Sequence, residues 1–205
     1  MKTHHFFGIL FAGALMMLGC EKEVQNDYIT ITGTGEVVTQ ILELAPFTEL
    51  THDGVANLYI SFGNEQSVSI SAQQNIIDIT NWEVTAGRLI IGKHENVKLN
   101  NHLEIRFDIV VEDLSALVHT GIGDISLEGP ARSFFEIDYR GIGHVLAYGL
   151  PVDNCTVYSN GPGDCNVMVN DNLEVDISGI GNICYRGNPE ITVTDTGLGE
   201  LVNDN

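Results

Sequence analysis

The chain has 205 residues, 22 of them glycine, and a formal net charge of −19 at pH 7. Nine basic residues against 28 acidic ones exclude nucleic acid and anionic lipid as natural electrostatic partners, because both are recognised by clustered lysine and arginine. A hydrophobic content of 43% excludes a disordered chain and provides enough apolar side chains for one large domain or two small ones.

Residues 1–19 have the pattern of a secretory signal. Lys2 precedes an apolar run over 6–18 that is too short to span a bilayer. The run ends in Leu18-Gly19-Cys20, which resembles the lipobox of bacterial lipoproteins, where cleavage precedes the cysteine and the thiol is acylated. We therefore predict lipidation at Cys20 and a lipid-anchored protein of the cell envelope, in the outer membrane, with periplasmic and surface exposure both open. An ordinary signal peptide followed by an incidental cysteine is the alternative.

The first half of the mature chain is predicted to consist of strands and hairpins. Residues 20–36 are expected to form a tether and a first strand, and Gly33-Thr34-Gly35-Glu36-Val37 is a candidate degenerate copy of a glycine motif found later in the chain. Alternating apolar residues predict strands at 28–44, 55–62, 67–72, 83–85, 88–91 and 102–111.

Two of these strand pairs are expected to be hairpins, around the turns at 63–66 and 86–87. Residues 75–81 are the one segment compatible with a helical turn. Because no proline- or serine-rich boundary interrupts the chain, we expect one continuous β domain over 37–201.

The second half is organised by a repeat. Gly-x-Gly recurs five times between residues 113 and 201, at intervals of 20, 20, 18 and 18 residues. The ten glycines are Gly121, Gly123, Gly141, Gly143, Gly161, Gly163, Gly179, Gly181, Gly197 and Gly199. A dinucleotide-binding loop is excluded because it needs a third glycine and a following helix.

The residues around each glycine pair alternate between apolar and polar. Four positions before the first glycine stand Leu117, Ile137, Val157, Val175 and Val193, and four positions after it stand Ile125, Val145, Cys165, Ile183 and Leu201. Each repeat therefore predicts a strand, a glycine turn, a second strand and another turn. Stacked repeats predict a parallel β-solenoid with 18–20 residues per coil, in which glycine allows a positive φ and close approach between coils. We expect the residue between the two glycines to point inward.

Several segments together resemble the family of bacterial proteins known as putative auto-transporter adhesin, head GIN domain. The resemblance spans about residues 37–201 and rests on 47–50, 54–61, 63–68, 87–91 and the repeated Gly-Ile-Gly-Asp/Asn-Ile. It implies an all-β, right-handed parallel β-helix and a lipoprotein or surface location in Bacteroidetes, without an established enzyme activity. His144 and Pro162 depart from the family's commoner residues.

One row of polar residues is a candidate functional edge. The residues three positions after each first glycine are Asp124, His144, Asp164, Asn182 and Glu200. Stacked coils would place them on one exposed edge, which is either a solvated row of turn-forming side chains or an oxygen-rich row that faces Ca²⁺ or another ligand. We predict no other cofactor and no metal site, since His52, His94, His102, His119 and His144 lie far apart in the sequence.

Cysteine spacing leaves one further question open. Cys155 and Cys165 are both expected to point inward from one repeat, as a disulfide or as two buried thiols, and Cys184 is expected to point outward. No paired carboxylates, cationic row or Ser-His-Asp set can be argued from the sequence, so no catalytic residue is predicted.

The sequence therefore favours a non-enzymatic envelope lipoprotein that acts as an adhesin or surface binding module, with an unidentified glycan or protein ligand. Two alternatives stay open at this point. One is a carbohydrate-active β-helix enzyme, and the other is a structural protein that forms homo-oligomers through the open end of the repeat stack.

Overall fold

A computed structural model describes residues 28–93 and 96–205, with the backbone alone at Lys93. The expected signal sequence and Cys20 lie outside these ranges. Within them, no helix is long and apolar enough to cross a membrane.

The described chain is all-β apart from one helical turn. The elements of the first half are β1 (Ile29–Thr32), β2 (Val37–Leu42), β3 (Glu49–His52), β4 (Asn57–Phe62), β5 (Ser67–Gln73), α1 (Gln74–Ile77), β6 (Thr80–Thr85), β7 (Arg88–Lys93), β8 (Val97–Asn100) and β9 (Arg106–Val111). Those of the second half are β10 (Ala116–His119), β11 (Ile125–Glu128), β12 (Arg132–Tyr139), β13 (Val145–Ser159), β14 (Cys165–Ile177), β15 (Ile183–Arg186), β16 (Glu190–Asp195) and β17 (Leu201–Asn203).

Equivalent strands of successive repeats pair in parallel and in register. Leu117 lies opposite Ile137, which lies opposite Val157, and the row continues through Val175 to Val193. A second row runs from Ile125 through the strands that follow each glycine pair. The apolar members of both rows are buried as far as Ile183, because each repeat covers the one before it, whereas Val193 of the last repeat is exposed.

The expected right-handed parallel β-helix is nevertheless wrong as a description of the fold. The 15-stranded main sheet is mixed, because antiparallel pairs join β2 to β5, β5 to β9, and β6 to β7. The sheet is curled into a half-barrel. Two of the expected turns between strands are also missing, since β13 and β14 run on continuously for 15 and 13 residues. The regular glycine repeat is confined to the second half of the chain, so it could not predict the antiparallel strands of the first half.

The two predicted hairpins have opposite outcomes. The pair β6–β7 is confirmed, and its turn residues Ala86 and Gly87 have φ angles of 52° and 78°. The hairpin expected between 55–62 and 67–72 is wrong, because β9 lies between β4 and β5 and pairs with both. Strand alternation finds such strands but cannot show that a segment more than 30 residues later inserts between them.

The degenerate copy of the glycine motif was also misplaced. Residues 33–36 connect β1 to β2, and Val37 begins β2. Since β1 pairs with β8 and β2 pairs antiparallel with β5, these residues stand outside the repeat stack. The copy that stacks under the first repeat is instead Gly54-Val55-Ala56-Asn57-Leu58, in which Val55 bridges to Ile122 and Leu58 pairs with Ile125. Its spacing from the next copy is far longer than the repeat period because residues 63–112 are inserted between them.

The other predicted elements agree approximately with the observed ones. The helical turn expected at 75–81 is α1, which ends earlier because β6 begins at Thr80. The expected first strand over 28–44 is divided into β1 and β2, and the strand expected from His102 begins at Arg106.

The buried rows predict a sharp contrast between two isoleucines of one repeat. Ile137→Ala should lower the free energy of unfolding by about 2–5 kcal/mol, because Ile137 is completely buried and the substitution leaves a cavity. Ile142→Ala, at an exposed side chain, should change it by no more than about 0.5 kcal/mol. Urea denaturation of both variants measures the difference, and equal destabilisation would contradict the assignment of the two faces.

Candidate functional site: the stacked glycine corners

Each glycine pair forms a corner at which the backbones of successive repeats approach closely. A Cβ atom added to Gly163 would lie 1.8 Å from the carbonyl oxygen of Gly143, and at Gly181 it would lie 1.8 Å from that of Gly163. At all ten predicted corner glycines the added atom would come within 2.5 Å of a neighbouring atom. A positive φ is found at only two of them, Gly123 and Gly143, so backbone approach is the general reason for glycine here.

The residue between the two glycines points outward, so the expected inward ladder is wrong. The exposed fractions are 48% for Ile122, 58% for Ile142, 60% for Ile180 and 83% for Leu198, and Val55 and Pro162 are exposed too. Both flanking glycines face the neighbouring repeat, which leaves the middle side chain directed to solvent. We call the row Val55, Ile122, Ile142, Pro162, Ile180 and Leu198 the corner ridge.

The predicted polar edge is a continuous chain of hydrogen bonds between repeats. The backbone N–H of His144 donates to Asp124 Oδ1 at 2.8 Å, and that of Asp164 donates to His144 Nδ1 at 3.1 Å. In the same way, Asn182 N–H donates to Asp164 Oδ1 and Glu200 N–H donates to Asn182 Oδ1. Asn57 begins the row by accepting from the backbone N–H of Asp124.

This pattern gives the row a structural role. The acceptor atoms of four of the five residues that the sequence singled out are used to fix the next repeat, which also explains why aspartate, asparagine and histidine alternate there. Among the described residues, no group of three or more His, Cys, Asp or Glu side chains is arranged to hold a metal ion. The calcium hypothesis therefore has no ligand cluster on which to rest in this part of the chain.

Two histidines that are distant in the sequence meet in the core. His52 and His119 are completely buried, with their Nδ1 atoms 3.0 Å apart and their rings parallel within 3°. The Nδ1–Nδ1 hydrogen bond requires one ring to donate and the other to accept, which suits two neutral rings of opposite tautomer. Burial, followed by the charge of His119, lowers the pKa of His52 to about 3, and burial also lowers the pKa of His119.

The histidine pair belongs to one inward row of side chains. In register with it lie Tyr139, whose ring is 5.6 Å from that of His119, and Ser159. The Tyr139 hydroxyl donates to the Gly143 carbonyl at 2.6 Å and accepts from the Gly163 N–H at 2.8 Å, so it ties two corners together. Sequence reasoning missed this row. Its signal was the position two residues before the first glycine of five successive corners, which is His52, His119, Tyr139, Ser159 and Ile177, whereas the last corner has Asp195 there.

The three cysteines of the described chain are free thiols. Cys155 and Cys165 therefore do not form a disulfide with each other, and both are buried. Cys184 is half-buried. Burial raises the pKa of Cys155 to about 12 and raises that of Cys165 as well. Both are therefore unreactive apolar side chains near neutral pH.

A cleft of about 520 Å³ lies at the start of the corner ridge. Val55 and Ile122 of the ridge form one wall, and β8 with the segment before β9 forms the other. The lining is mostly apolar. Its only carboxylate within the described ranges is Glu104, which accepts hydrogen bonds from Asn57 Nδ2 at 2.8 Å and from the Tyr59 hydroxyl at 3.0 Å.

Most of the chain matches the model of one known family. The family model described as "Putative auto-transporter adhesin, head GIN domain" matches residues 46–134 and 116–189. The chain belongs to this family, which confirms the resemblance found in the sequence.

A solved structure shows a related fold at low sequence identity. A putative adhesin from Bacteroides fragilis is 18% identical, with a TM-score of 0.62, and the alignment covers 84% of this chain and 99% of that one. A putative adhesin from Parabacteroides merdae is 16% identical with a TM-score of 0.47, covering 85% of this chain and 99% of that one. The likeness to the Bacteroides fragilis protein concerns the fold alone. The comparison with curated proteins gives no match.

The polar row predicts different effects for two substitutions at Asp124. Asp124→Ala should lower the free energy of unfolding by about 1 kcal/mol, because it removes the acceptor for the His144 N–H. Asp124→Asn keeps an oxygen at that position and should cost less than half as much. Urea denaturation of the two variants tests this, and an Asn variant as unstable as the Ala variant would show that the negative charge matters rather than the acceptor.

The buried histidine pair predicts acid sensitivity. Below pH 6.5 the unfolded chain takes up protons that the folded His52, with its pKa near 3, does not. Stability should therefore fall as the pH decreases from 6.5 towards 3, by up to about 1.4 kcal/mol per pH unit for one such group.

Replacing both rings isolates this contribution from that of the carboxylates. His52→Leu with His119→Leu fits a row that already contains Ile91 and Ile177, and it should flatten the dependence of unfolding free energy on pH between 6.5 and 4.5. NMR titration of the unmodified protein gives a second readout, in which the ring shifts of His52 should stay constant over this range. Identical slopes for the two proteins, or a His52 titration near pH 6, would contradict the assignment.

Proposed function

We propose that this protein is a non-enzymatic adhesin-like binding module of the bacterial cell envelope, tethered by a lipid on Cys20. The observation that carries the proposal is the corner ridge, a row of exposed apolar side chains on a tightly hydrogen-bonded frame. Aliphatic residues at regular intervals on the outside of a fold are typical of interaction surfaces, since an isolated soluble domain gains nothing from exposing them together.

Membership of an adhesin-like family supports a location at the cell envelope. The tether is supported by Leu18-Gly19-Cys20 and by the short distance in sequence from Cys20 to β1, which begins at Ile29. Several acyl chains on one cysteine would hold the folded part close to a membrane surface, where a fixed binding face is useful.

The frame is suited to binding because two kinds of hydrogen bond hold each repeat against the next. The strands of each repeat are bonded in parallel to those of the next, and the polar row adds a bond from a side chain to the next backbone at each corner. A rigid surface loses little conformational entropy when a partner binds, which improves affinity for a given contact area.

A carbohydrate-active enzyme is not supported by the arrangement of carboxylates. Glycosidases need two carboxyl groups that face each other across a cleft. In the described part of the chain, Glu104 is the only carboxylate that lines the cleft. The carboxylate of Asp108 is paired with Arg106. The carboxylates of Glu136, Asp138 and Asp176 line a separate depression outside this cleft, where Arg140 binds Asp138. The lining of the cleft therefore favours binding over hydrolysis.

The proposal is tested on a soluble form of the protein that runs from residue 20 to residue 205, carries Cys20→Ser and keeps every described residue. We expect this protein to bind at least one member of an array of glycans and extracellular-matrix proteins. Ile142→Ser combined with Ile180→Ser should weaken that binding by at least about tenfold, because the two substitutions remove the centre of the ridge.

Ile41→Ser is the matched control, since Ile41 is an isoleucine on β2, away from the corners, and is at least as exposed as Ile142 and Ile180. Circular dichroism checks that all variants keep the fold. A protein that binds nothing on the array, or whose binding is equally sensitive to Ile41→Ser, would overturn the proposed function.

A further inference from the structure

The corner ridge is long and regular enough to contact a partner segment along its length. Its six residues are separated by steps of about 4.8 Å, so it extends for about 24 Å from Val55 to Leu198. Exposure is greatest at Leu198, in the last repeat. Aliphatic side chains predominate, whereas sugar-binding surfaces typically offer aromatic faces, so a polypeptide is the better match.

One border of the ridge is formed by the polar row. Asp124, Asp164 and Glu200 follow the ridge residues Ile122, Pro162 and Leu198 by two positions each. Only one oxygen of Asp124 and one of Asp164 is bonded to the next repeat, so each carboxylate keeps an oxygen for a partner.

The other border leads into an acidic depression. A shallow groove beside Pro162, Ile180 and Leu198 includes Asn160 and Ser178, and both of these residues also line a second depression. The carboxylates of that second depression are those of Glu136, Asp138 and Asp176. Carboxylates therefore stand on both sides of the ridge.

Few positive charges offset these carboxylates. All five arginines of the chain are already paired, including Arg140, which binds Asp138. A partner that contacts the ridge meets carboxylates directly on one side of the apolar row. On the other side it meets the neutral Asn160 and Ser178, and beyond them the acidic depression.

We infer that the corner ridge binds a basic amphipathic segment of another protein, with an apolar stripe that covers the ridge and lysine or arginine on both sides of that stripe. The inference rests on the proposed function and specifies its partner. An α-helix of about 16 residues spans the 24 Å of the ridge at 1.5 Å per residue, and it presents such a stripe naturally.

The same charges disfavour the other occupants of an exposed apolar row. An anionic bilayer is repelled by both borders. A second copy of the chain would place its own carboxylates against those beside this ridge. No arginine is free to offset their repulsion. A basic partner gains from both the apolar contact and the charge pairing.

Three synthetic helical peptides of about 18 residues test the inference on the same soluble protein with Cys20→Ser. One has a leucine stripe flanked by lysines, the second has the same stripe flanked by glutamates, and the third replaces the leucines of the first by serine. We expect the Leu/Lys peptide to bind at least about tenfold more tightly than either of the others, as measured by fluorescence anisotropy at 0.15 M salt.

The protein variants assign that binding to the ridge. Ile142→Ser with Ile180→Ser should weaken Leu/Lys binding by at least about tenfold without a change in net charge, and Ile41→Ser should leave it unchanged. Undiminished binding to the ridge variant, equal binding of the Leu/Glu or Ser/Lys peptide, or no peptide binding would each overturn the inference.

Two further measurements separate the inference from the proposed function. Binding to phosphatidylglycerol vesicles, or dimerisation in light scattering that the ridge substitutions abolish, would overturn the inference by identifying a different occupant. If the array shows a ligand that depends on the ridge but the peptides do not discriminate, the proposed function stands and the partner class is wrong. If the array shows none, the proposed function itself fails.

Discussion

The structure depends on how closely two backbones can approach at a corner. A carbonyl oxygen of one repeat occupies the space in which a side chain of the next would begin, as Gly163 and Gly143 show at 1.8 Å. Only glycine leaves this space empty, and every repeat must meet the requirement for the strands on either side to pair. The parallel ladders, the buried rows and the register of the outward residues follow from this approach.

The approach at the corners also decides which apolar residues reach the core. Strand residues such as Ile137 and Val157 are held against the next repeat and are completely buried, whereas Ile142, five residues beyond Ile137, is turned to solvent. Apolar character alone does not distinguish the two positions. The same turn that closes the core therefore creates the corner ridge on the outside of the domain.

Polar side chains take part in the stacking both at the surface and inside the fold. Asp124 and Asp164 accept from backbone N–H groups of the next repeat, and the Tyr139 hydroxyl bonds two corners inside the fold. The histidine pair satisfies one nitrogen of each ring and leaves both Nε2 atoms buried without a partner among the described residues. The lost hydration of these two atoms is not compensated, so placing a charge on either ring in the folded state is unfavourable.

The sequence by itself determined the local and periodic features of this protein. Regular glycine pairs and period-two alternation are consequences of short-range geometry, so the corners, the inward rows such as Leu117 to Val175, the Ala86-Gly87 hairpin and the family could all be read from them. Only the tertiary structure decided the rest. The insertion of β9 between β4 and β5, the mixed half-barrel sheet, the meeting of His52 with His119 and the outward turn of the corner ridge depend on contacts between segments that no local pattern connects.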